Sequence, residues 1–497
     1  MRDHKTPRTS ASFGHFDRMR LALAMLLLTT LVNGCATTVI TPELEEELGN
    51  EMSVQVKDQI GLYADAELDR YLQSVGDRLV KALGATPYTF RFAIVDQFEP
   101  NAFASPGGFI YVSRGLMAQM NNEAELAGVL AHEISHVTQR HHARQIGRSV
   151  GAGLFTLPGR AVGVVSQDLG NIINAPIEAA GQVYLASYSR GQETEADAYG
   201  MRLAASAGYN PRSLADALTG IERTVEVLTG EKHKASFFDS HPTTPTRVAD
   251  IATESATLTV APGEPIADQR TLYGYLDGMW VGSQNPQQGV VAGRKYLNAD
   301  LDFSITFPEK WESLNTPRFV AAAQPDGGAY LALGGSDAPG SIAEIIEGMA
   351  QKMREDAGIE PAERRSLTVG SWPAEVLRYD DTSDDKTVSL YYMLVQSPRE
   401  KFMVVAMGYE EFRDVLGESA LSLGPLSDVE RNSIGGLRLR VAEPGGSESL
   451  TALSQRTGSK WPPELAAAIN GLASKSAPIA GRPIKYSRVE RYTATGP

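Results

Sequence analysis

The sequence predicts an α+β protein with a mostly helical first domain carrying a small β-sheet, a second α+β domain, and a small C-terminal module. Helical periodicity dominates the first part, and one β-rich stretch at residues 88–112 interrupts it. From about residue 300, apolar residues alternate as in strands, with a helical pattern between them. A Pro-Gly-Gly-Ser linker at 444–447 then precedes the last unit.

Composition excludes one class of partner and one source of stability. The chain of 497 residues carries 60 acidic and 46 basic residues, a formal net charge of −14. We therefore expect no nucleic acid partner, because phosphate binding needs a basic surface. The single cysteine, Cys35, leaves no internal disulfide. Stability must come from packing, and a chain this long can bury a large core.

Residues 1–34 have the features of an export signal. Arg18 and Arg20 precede an apolar run from Leu21 to Val32, which is too short to span a bilayer as a helix. Cys35 follows this run after a small residue, which resembles a bacterial lipoprotein box. The resemblance implies cleavage before Cys35 and lipid anchoring through it; an ordinary signal peptide with a free thiol is the alternative. By analogy, Ala36 favours the outer membrane, and we expect a periplasmic location.

The elements of the first domain, residues 35–255, follow from periodicity. Residues 41–85 show a long amphipathic helical pattern. We expect a strand from Tyr88 to Val95, and then a Pro-Gly-Gly turn within a β-rich segment from Asn101 to Val112. Good helix formers follow from Glu123, with acids in the first turn and one apolar stripe that faces the core.

The most informative motif is H-E-I-S-H at residues 132–136. His132 and His136 are four residues apart, so on a helix they share one face and can bind one metal ion. Glu133 lies between them, close enough to act on a metal-bound water. This spacing is the zinc-protease signature, and it predicts one Zn²⁺ per chain with Glu133 as the catalytic base. A surface helix with two solvated histidines is the alternative.

A catalytic zinc needs a third protein ligand, and two candidates compete. His142 has the H-E-x-x-H-x-x-G-x-x-H spacing, but Gln139 stands where that geometry needs glycine. Glu193 lies in a later segment, on one helix face with Asp197, while Glu195 points the other way. We favour Glu193 as the ligand, and we expect Asp197 to accept a hydrogen bond from the back nitrogen of His132.

Nothing in residues 300–441 suggests catalysis. The weakly charged segment 147–186 is expected to pack as helices or to form a mobile lid. Residues 256–299 are interpreted as a linker and 300–441 as an α+β domain of unknown role. In that domain we expect a strand over residues 301–307, a helix from Ile342 to Met353, and a hairpin around Ser397-Pro398.

Three motifs in order, N-A-F-A-S-P-G-G-F-I-Y-V-S-R-G-L-M, H-E-I-S-H-V-T-Q-R-H and S-R-x-x-E-x-E-A-D, resemble the HtpX/CAAX-protease-type gluzincin metallopeptidases (peptidase family M48). The soluble periplasmic branch is the most similar. The resemblance covers roughly residues 41–255 and implies a zincin-type catalytic domain. It also implies that His241, in the H-P-x-x-x-x-R element, lies beside the metal, either donating to the oxyanion or binding zinc as a fourth ligand.

The last unit, residues 447–490, resembles a degenerate LysM module. That resemblance implies peptidoglycan binding, and a purely structural appendage is the alternative.

The sequence thus predicts a zinc endopeptidase lipoprotein that cleaves unfolded or misassembled cell-envelope proteins by metal-activated water attack. His241 would stabilise the oxyanion. Asn101, Ala102 and Phe103 would offer an edge strand to an extended peptide, through backbone bonds that ignore sequence. The alternative is an envelope chaperone or scaffold whose zinc site is latched shut.

Overall fold

A computed structural model describes residues 40–145, 188–231, 237–242, 246–263, 265–383, 386–472 and 481–494. The predicted signal peptide at residues 1–34, Cys35 and the segment 147–186 lie outside these described residues. The fold class is α+β, as predicted. In the part of the chain that is described, no helix is long and apolar enough to cross a bilayer.

The first part of the chain consists of helices around a three-stranded sheet. The helices are α1 (Pro42–Gln59), α2 (Ala66–Leu83), α3 (Arg114–Gln119), α4 (Glu123–Thr138), α5 (Arg190–Ser206), α6 (Ser213–Thr229), α7 (Phe237–Ser240) and α8 (Arg247–Ser255). The strands are β1 (Arg91–Val95), β2 (Ala102–Ser105) and β3 (Phe109–Ser113).

The helical pattern over residues 41–85 forms two helices instead of one. Gly61 takes a φ of 86°, which a residue with a side chain rarely adopts, and Leu62 then bridges to Val95 of β1. The carboxylate of Asp65 caps α2 by accepting two backbone N–H groups of its first turn. The apolar period continues across this break, so periodicity alone did not reveal it.

The sheet has the order β1-β3-β2, with β1 parallel and β2 antiparallel to β3. The Pro-Gly-Gly turn predicted from the sequence is present as a 3₁₀ turn, Pro106–Gly108. Its Gly107 has φ 77°, and a Cβ there would lie 2.6 Å from the backbone of Glu46. This turn leaves β2 at the edge of the sheet.

Helices α4 and α5 pack closely, and this contact positions the site. Asn122 caps α4 by accepting the Glu125 N–H at 2.9 Å. Ser189 and Gln192 form a capping box at the start of α5. A Cβ at Gly200 of α5 would lie 3.0 Å from the Cα and N atoms of His132. Glycine therefore lets the two backbones approach.

The second part is a seven-stranded antiparallel sheet with a helix on each face. In spatial order its strands are β10 (Glu363–Val369), β11 (Trp372–Ser383), β12 (Lys386–Gln396), β13 (Lys401–Tyr409), β9 (Ala329–Ser336), β8 (Phe319–Ala323) and β7 (Glu312–Asn315). The hairpin predicted around Ser397-Pro398 is confirmed by the pairing of β12 with β13. The other elements of this part are β6 (Phe303–Thr306), α10 (Ile342–Ala357), α11 (Arg413–Leu421) and α12 (Asp428–Ser433).

The interpretation of residues 256–299 as a linker is wrong. This segment contains α9 (Gln269–Leu276) and the strands β4 (Val290–Ala292) and β5 (Lys295–Asn298), and β5 pairs with β6. Its apolar side chains belong to the main core cluster together with those of α2 and α4. Its polar, Gly-rich composition resembles that of a linker. The contacts that place it in the core join residues far apart in the sequence, so composition alone could not predict them.

The C-terminal unit has a β–α–α–β order and begins earlier than predicted. Strand β14 (Gly435–Ala442) pairs with β15 (Ile484–Arg491), with α13 (Leu450–Thr457) and α14 (Pro463–Ile469) between them. The predicted boundaries had assigned most of β14 to the preceding domain. The buried ammonium of Lys485 donates to the carbonyls of Ala118 and Met120 at 2.8 and 2.9 Å. The unit therefore packs directly on the first domain.

Candidate active site

Helix α4 presents the two histidines of the H-E-I-S-H motif toward α5. The Nε2 atoms of His132 and His136 lie 3.0 Å apart, and both side chains are fully buried. Glu133 between them is also fully buried, and neither of its carboxylate oxygens has a hydrogen-bond partner. A buried carboxylate without a partner is costly, so its presence here needs a chemical reason.

Helix α5 brings Glu193 to these imidazoles. Its Oε1 lies 3.3 Å from His136 Nε2, and its Oε2 lies 3.6 Å from His132 Nε2. The other candidate ligand, His142, lies outside this group of donors, and its Nε2 is 2.5 Å from the hydroxyl of Tyr188. The structure thus assembles the alternative that uses Glu193.

His241, which follows α7, completes the group. Its Nδ1 lies 3.3 Å from His132 Nε2 and 3.2 Å from Glu193 Oε1. Its Nε2 faces the other way, 3.2 Å from the carbonyl oxygen of Ala102 and 3.4 Å from Glu133 Oε1. The ring stacks on Phe237 with centroids 4.1 Å apart. The Nδ1 atom of His241 is therefore in the position of a fourth metal donor, beside His132, His136 and Glu193.

The donor set fits a tetrahedral zinc ion. One atom each from His132, His136, Glu193 and His241 lies within 4.8 Å of the others. Zinc bonds of about 2.0–2.2 Å in a tetrahedron place the ligand atoms about 3.3–3.6 Å apart. The five separations given above among these side chains, 3.0–3.6 Å, cover that range.

Charge balance also favours a divalent cation. Asp197 and Arg247 form a bidentate pair, with both N···O distances at 2.8 Å, and Arg247 also lies 2.9 Å from Glu193 Oε2. Glu133, Glu193 and Asp197 would carry three negative charges when ionised, against one positive charge on Arg247. Buried charge must be compensated, and a divalent ion supplies the missing two positive charges.

Asp197 and Arg247 also orient the donors. The Oδ1 of Asp197 lies 2.9 Å from His132 Nδ1, on the side of the ring away from the site. A carboxylate there holds the imidazole in the tautomer that leaves Nε2 free for a metal. Sequence reasoning assigned no role to Arg247, although it ends the H-P-x-x-x-x-R element.

The pKa shifts in the site follow from burial and from its charges. Burial raises the pKa of Glu133, against the attraction of His241 and His132. Burial lowers the pKa of His136 well below its usual value, which keeps the ring neutral as a metal ligand must be. Burial opposes ionisation of Glu193, but its attraction to His241 and its contacts with His136 and His132 hold its pKa well below normal. Burial acts to lower the pKa of His241, yet Glu133 and Glu193 raise it.

The site is enclosed. The ring of Tyr188 stacks on His136 with centroids 3.7 Å apart. The backbone N–H of Tyr188 donates to the carbonyl of Ser240 at 3.1 Å. His241 contacts the Ala102 carbonyl, and His142 hydrogen-bonds the backbone of Ala104. Both of those positions lie on the edge strand β2.

The predicted peptide-binding edge is therefore covered in this state. Asn101, Ala102 and Phe103 are each at most 4% exposed.

Residues 66–255 match the model of Peptidase family M48. The chain is 28% identical over 243 residues to the Beta-barrel assembly-enhancing protease of Escherichia coli (strain K12), covering 47% of this chain and 49% of that protein. It is 31% identical over 184 residues to the Mitochondrial metalloendopeptidase OMA1 of Schizosaccharomyces pombe, covering 36% of this chain and 51% of that protein. It is 30% identical over 183 residues to the Metalloprotease YcaL of Escherichia coli (strain K12), covering 35% of this chain and 66% of that protein.

The chain spans about half the length of the first of these relatives. Among solved structures, one from Bacteroides thetaiotaomicron covers 33% of this chain and 58% of that chain with 11% identity and a TM-score of 0.22, too low to support a structural argument. The motif predictions, the donor geometry and the family match agree. The domain at residues 66–255 is therefore similar to the metallopeptidases of family M48.

Proposed function

We propose that this protein is a zinc-dependent endopeptidase that cleaves unfolded or misassembled polypeptides of the bacterial cell envelope. One observation carries the proposal: four buried donor atoms converge beside Glu133, a buried carboxylate without a hydrogen-bond partner. A purely structural metal site has no need for that carboxylate. The carboxylate of Glu133 lies next to the donors, in a position to accept a proton from a metal-bound water molecule.

The chemistry follows from these side chains. Zn²⁺ held by His132, His136 and Glu193 would supply Lewis-acid polarisation of the scissile carbonyl and would acidify a water molecule. Glu133 would take the proton of that water and deliver it to the leaving amine. Its raised pKa suits a group that must both accept and release a proton. His241 would donate to the oxyanion once its ring leaves the fourth donor position.

Substrate would bind along β2. The edge carbonyls of Ala102 and Ala104 now contact His241 and His142, so an entering peptide must replace both contacts with its own backbone N–H groups. Such pairing reads no side chains and needs an extended chain. It therefore favours unfolded over folded substrates.

Glu133→Gln tests the proposal. This change keeps the size of the side chain and removes the base, so we expect normal zinc content and at least about a 100-fold loss of casein cleavage. Cleavage by the unaltered protein should stop on addition of a chelator. The control is Glu226→Gln, at an exposed position on α6, which should cleave like the unaltered protein. Full proteolysis by Glu133→Gln would contradict the proposed role.

A second function, an envelope chaperone or scaffold with a latched site, is favoured by the closure of the site. His241 occupies the fourth donor position and the metal-binding side chains are almost entirely buried. A four-ligand zinc leaves no open position for water. Zinc-replete protein that prevents aggregation of an unfolded client but never cleaves it would favour this function over the first.

Location and tethering are further parts of the proposal. Lipid attachment at Cys35 would hold the enzyme in the periplasm at the outer membrane, and loss of membrane fractionation in Cys35→Ala would test this. The C-terminal unit would bind peptidoglycan, and its β–α–α–β order supports a LysM-like module. Sedimentation with purified peptidoglycan would test that binding.

A further inference from the structure

Behind His136, on the side away from the other donors, lies a second histidine. The Nδ1 atoms of His136 and His141 are 2.8 Å apart, and His141 is fully buried. The Nε2 of His141 lies 3.2 Å from Glu195 Oε2, which also accepts from Arg144 at 2.8 Å. Sequence reasoning assigned no role to His141, and it placed Glu195 on the helix face opposite Glu193.

We propose that His141 is a positioning residue for the metal site, which with Glu195 holds His136 in its metal-binding tautomer. For Nε2 of His136 to offer a lone pair, the ring proton must be on Nδ1. That proton can only be donated to Nδ1 of His141, so the proton of His141 must be on Nε2. Glu195 accepts that proton. Each hydrogen bond in the series from His136 through His141 to Glu195 therefore has one possible direction.

The two histidine ligands of α4 are thus supported differently. His132 faces the carboxylate of Asp197 directly at 2.9 Å. His136 reaches the carboxylate of Glu195 through the imidazole of His141.

The backbone explains how His141 reaches this position. Helix α4 ends at Thr138, and Arg140 then takes a φ of 56°, in the left-handed region. Its guanidinium donates to Glu45 at 2.8 Å from Nε and also contacts the carbonyl of Ile40. This turn breaks the helix and places His141 against His136. In an unbroken helix the two rings would not face each other, since residues five apart lie on different faces.

The inference rests on His136 being a metal ligand, and the test begins with zinc affinity. Zinc dissociation constants would be measured on the full chain by competition with a chelating dye. His141→Phe keeps the bulk and removes the acceptor, so we expect affinity to fall about 10–100-fold. His141→Asn retains an oxygen near the Nδ1 position and should recover part of this loss.

The carboxylate of Glu195 allows a milder change at a partly exposed position. Glu195→Ala should weaken zinc binding in the same direction as His141→Phe. Glu226→Ala, the matched change at an exposed site on α6, should leave it unchanged.

A second measurement reads the tautomer itself. In the metal-free unaltered protein, the ¹⁵N shifts of His136 should indicate a proton on Nδ1. In metal-free His141→Phe, the same shifts should indicate a mixture of both tautomers of His136. Equal zinc affinity in folded His141→Phe and the unaltered protein would overturn the inference. So would equal losses in His141→Asn and His141→Phe, because this would mean that only packing matters. If the unaltered protein fails to bind zinc, the proposed function itself fails.

Discussion

Replacing Arg247 by Met should destabilise the metal-free protein strongly, because this cation neutralises two buried carboxylates. Arg247 is only 5% exposed and makes three contacts of 2.8–2.9 Å, two to Asp197 and one to Glu193. Methionine fills much of the same volume without charge. The substitution therefore removes the charge partner and leaves the core largely filled.

Removing one member of a buried ion pair costs about 3–5 kcal/mol, since the remaining charge stays buried and unpaired. In a domain of 150–250 residues, each kcal/mol lowers the melting temperature by about 2–4 °C. The metal-free variant should therefore melt about 6–20 °C lower than the unaltered protein. Zinc should narrow this difference, because the ion supplies positive charge to the same acids.

Thermal and denaturant unfolding of metal-free and zinc-loaded protein would measure these effects. The control is Arg223→Met, which removes a half-buried guanidinium that donates a 2.7 Å hydrogen bond to the neutral carbonyl of Leu472. That loss should be only about 1 kcal/mol. If Arg247→Met is no less stable than Arg223→Met, the acids are not ionised around Arg247 and the charge-balance argument is refuted.

Two further predictions concern packing and pH. Gly200→Ala should cost about 1–3 kcal/mol and weaken zinc binding, because its Cβ would lie 3.0 Å from the backbone of His132. Gly220→Ala on α6, with no atom within 4 Å of the new Cβ, should instead stabilise by up to about 1 kcal/mol. Unfolding experiments that give equal effects for the two would contradict this. Burial lowers the pKa of Lys485 from 10.5 to about 7, so the unfolded chain binds more protons between those values and stability rises with pH. The unfolding free energy of the unaltered protein relative to Lys485→Met should increase by about 2 kcal/mol from about pH 7 to about pH 9, and a flat difference would show that the ammonium stays charged.

The placement of His132, Glu133 and His136 together on one helix could be predicted because their spacing is local. The i, i+4 relation of His132 and His136 places both on one face of any helix, whatever surrounds it. The same relation within α5 placed Glu193 and Asp197 together. Sequence pattern also located the hairpin of β12 and β13, whose two strands are neighbours along the chain.

Other features depended on contacts between distant segments. Periodicity did not reveal the break between α1 and α2, or that residues 256–299 belong to the core. Arg247 lies fifty residues from its partner Asp197, and His241 lies 109 residues from His132. No local pattern encodes such distances.

His141 illustrates the difference between what the sequence predicts and what the tertiary structure decides. From the sequence it is one of two adjacent histidines after the zinc-protease motif, with no sign of which faces inward. The left-handed turn at Arg140, held by Glu45, turns one ring toward His136 and the other toward Tyr188. The sequence by itself determined which side chains could bind a metal, since helical spacing is intrinsic to the backbone. Only the tertiary structure decided which of them meet and which buried charges are neutralised, because those outcomes depend on packing between segments far apart in the chain.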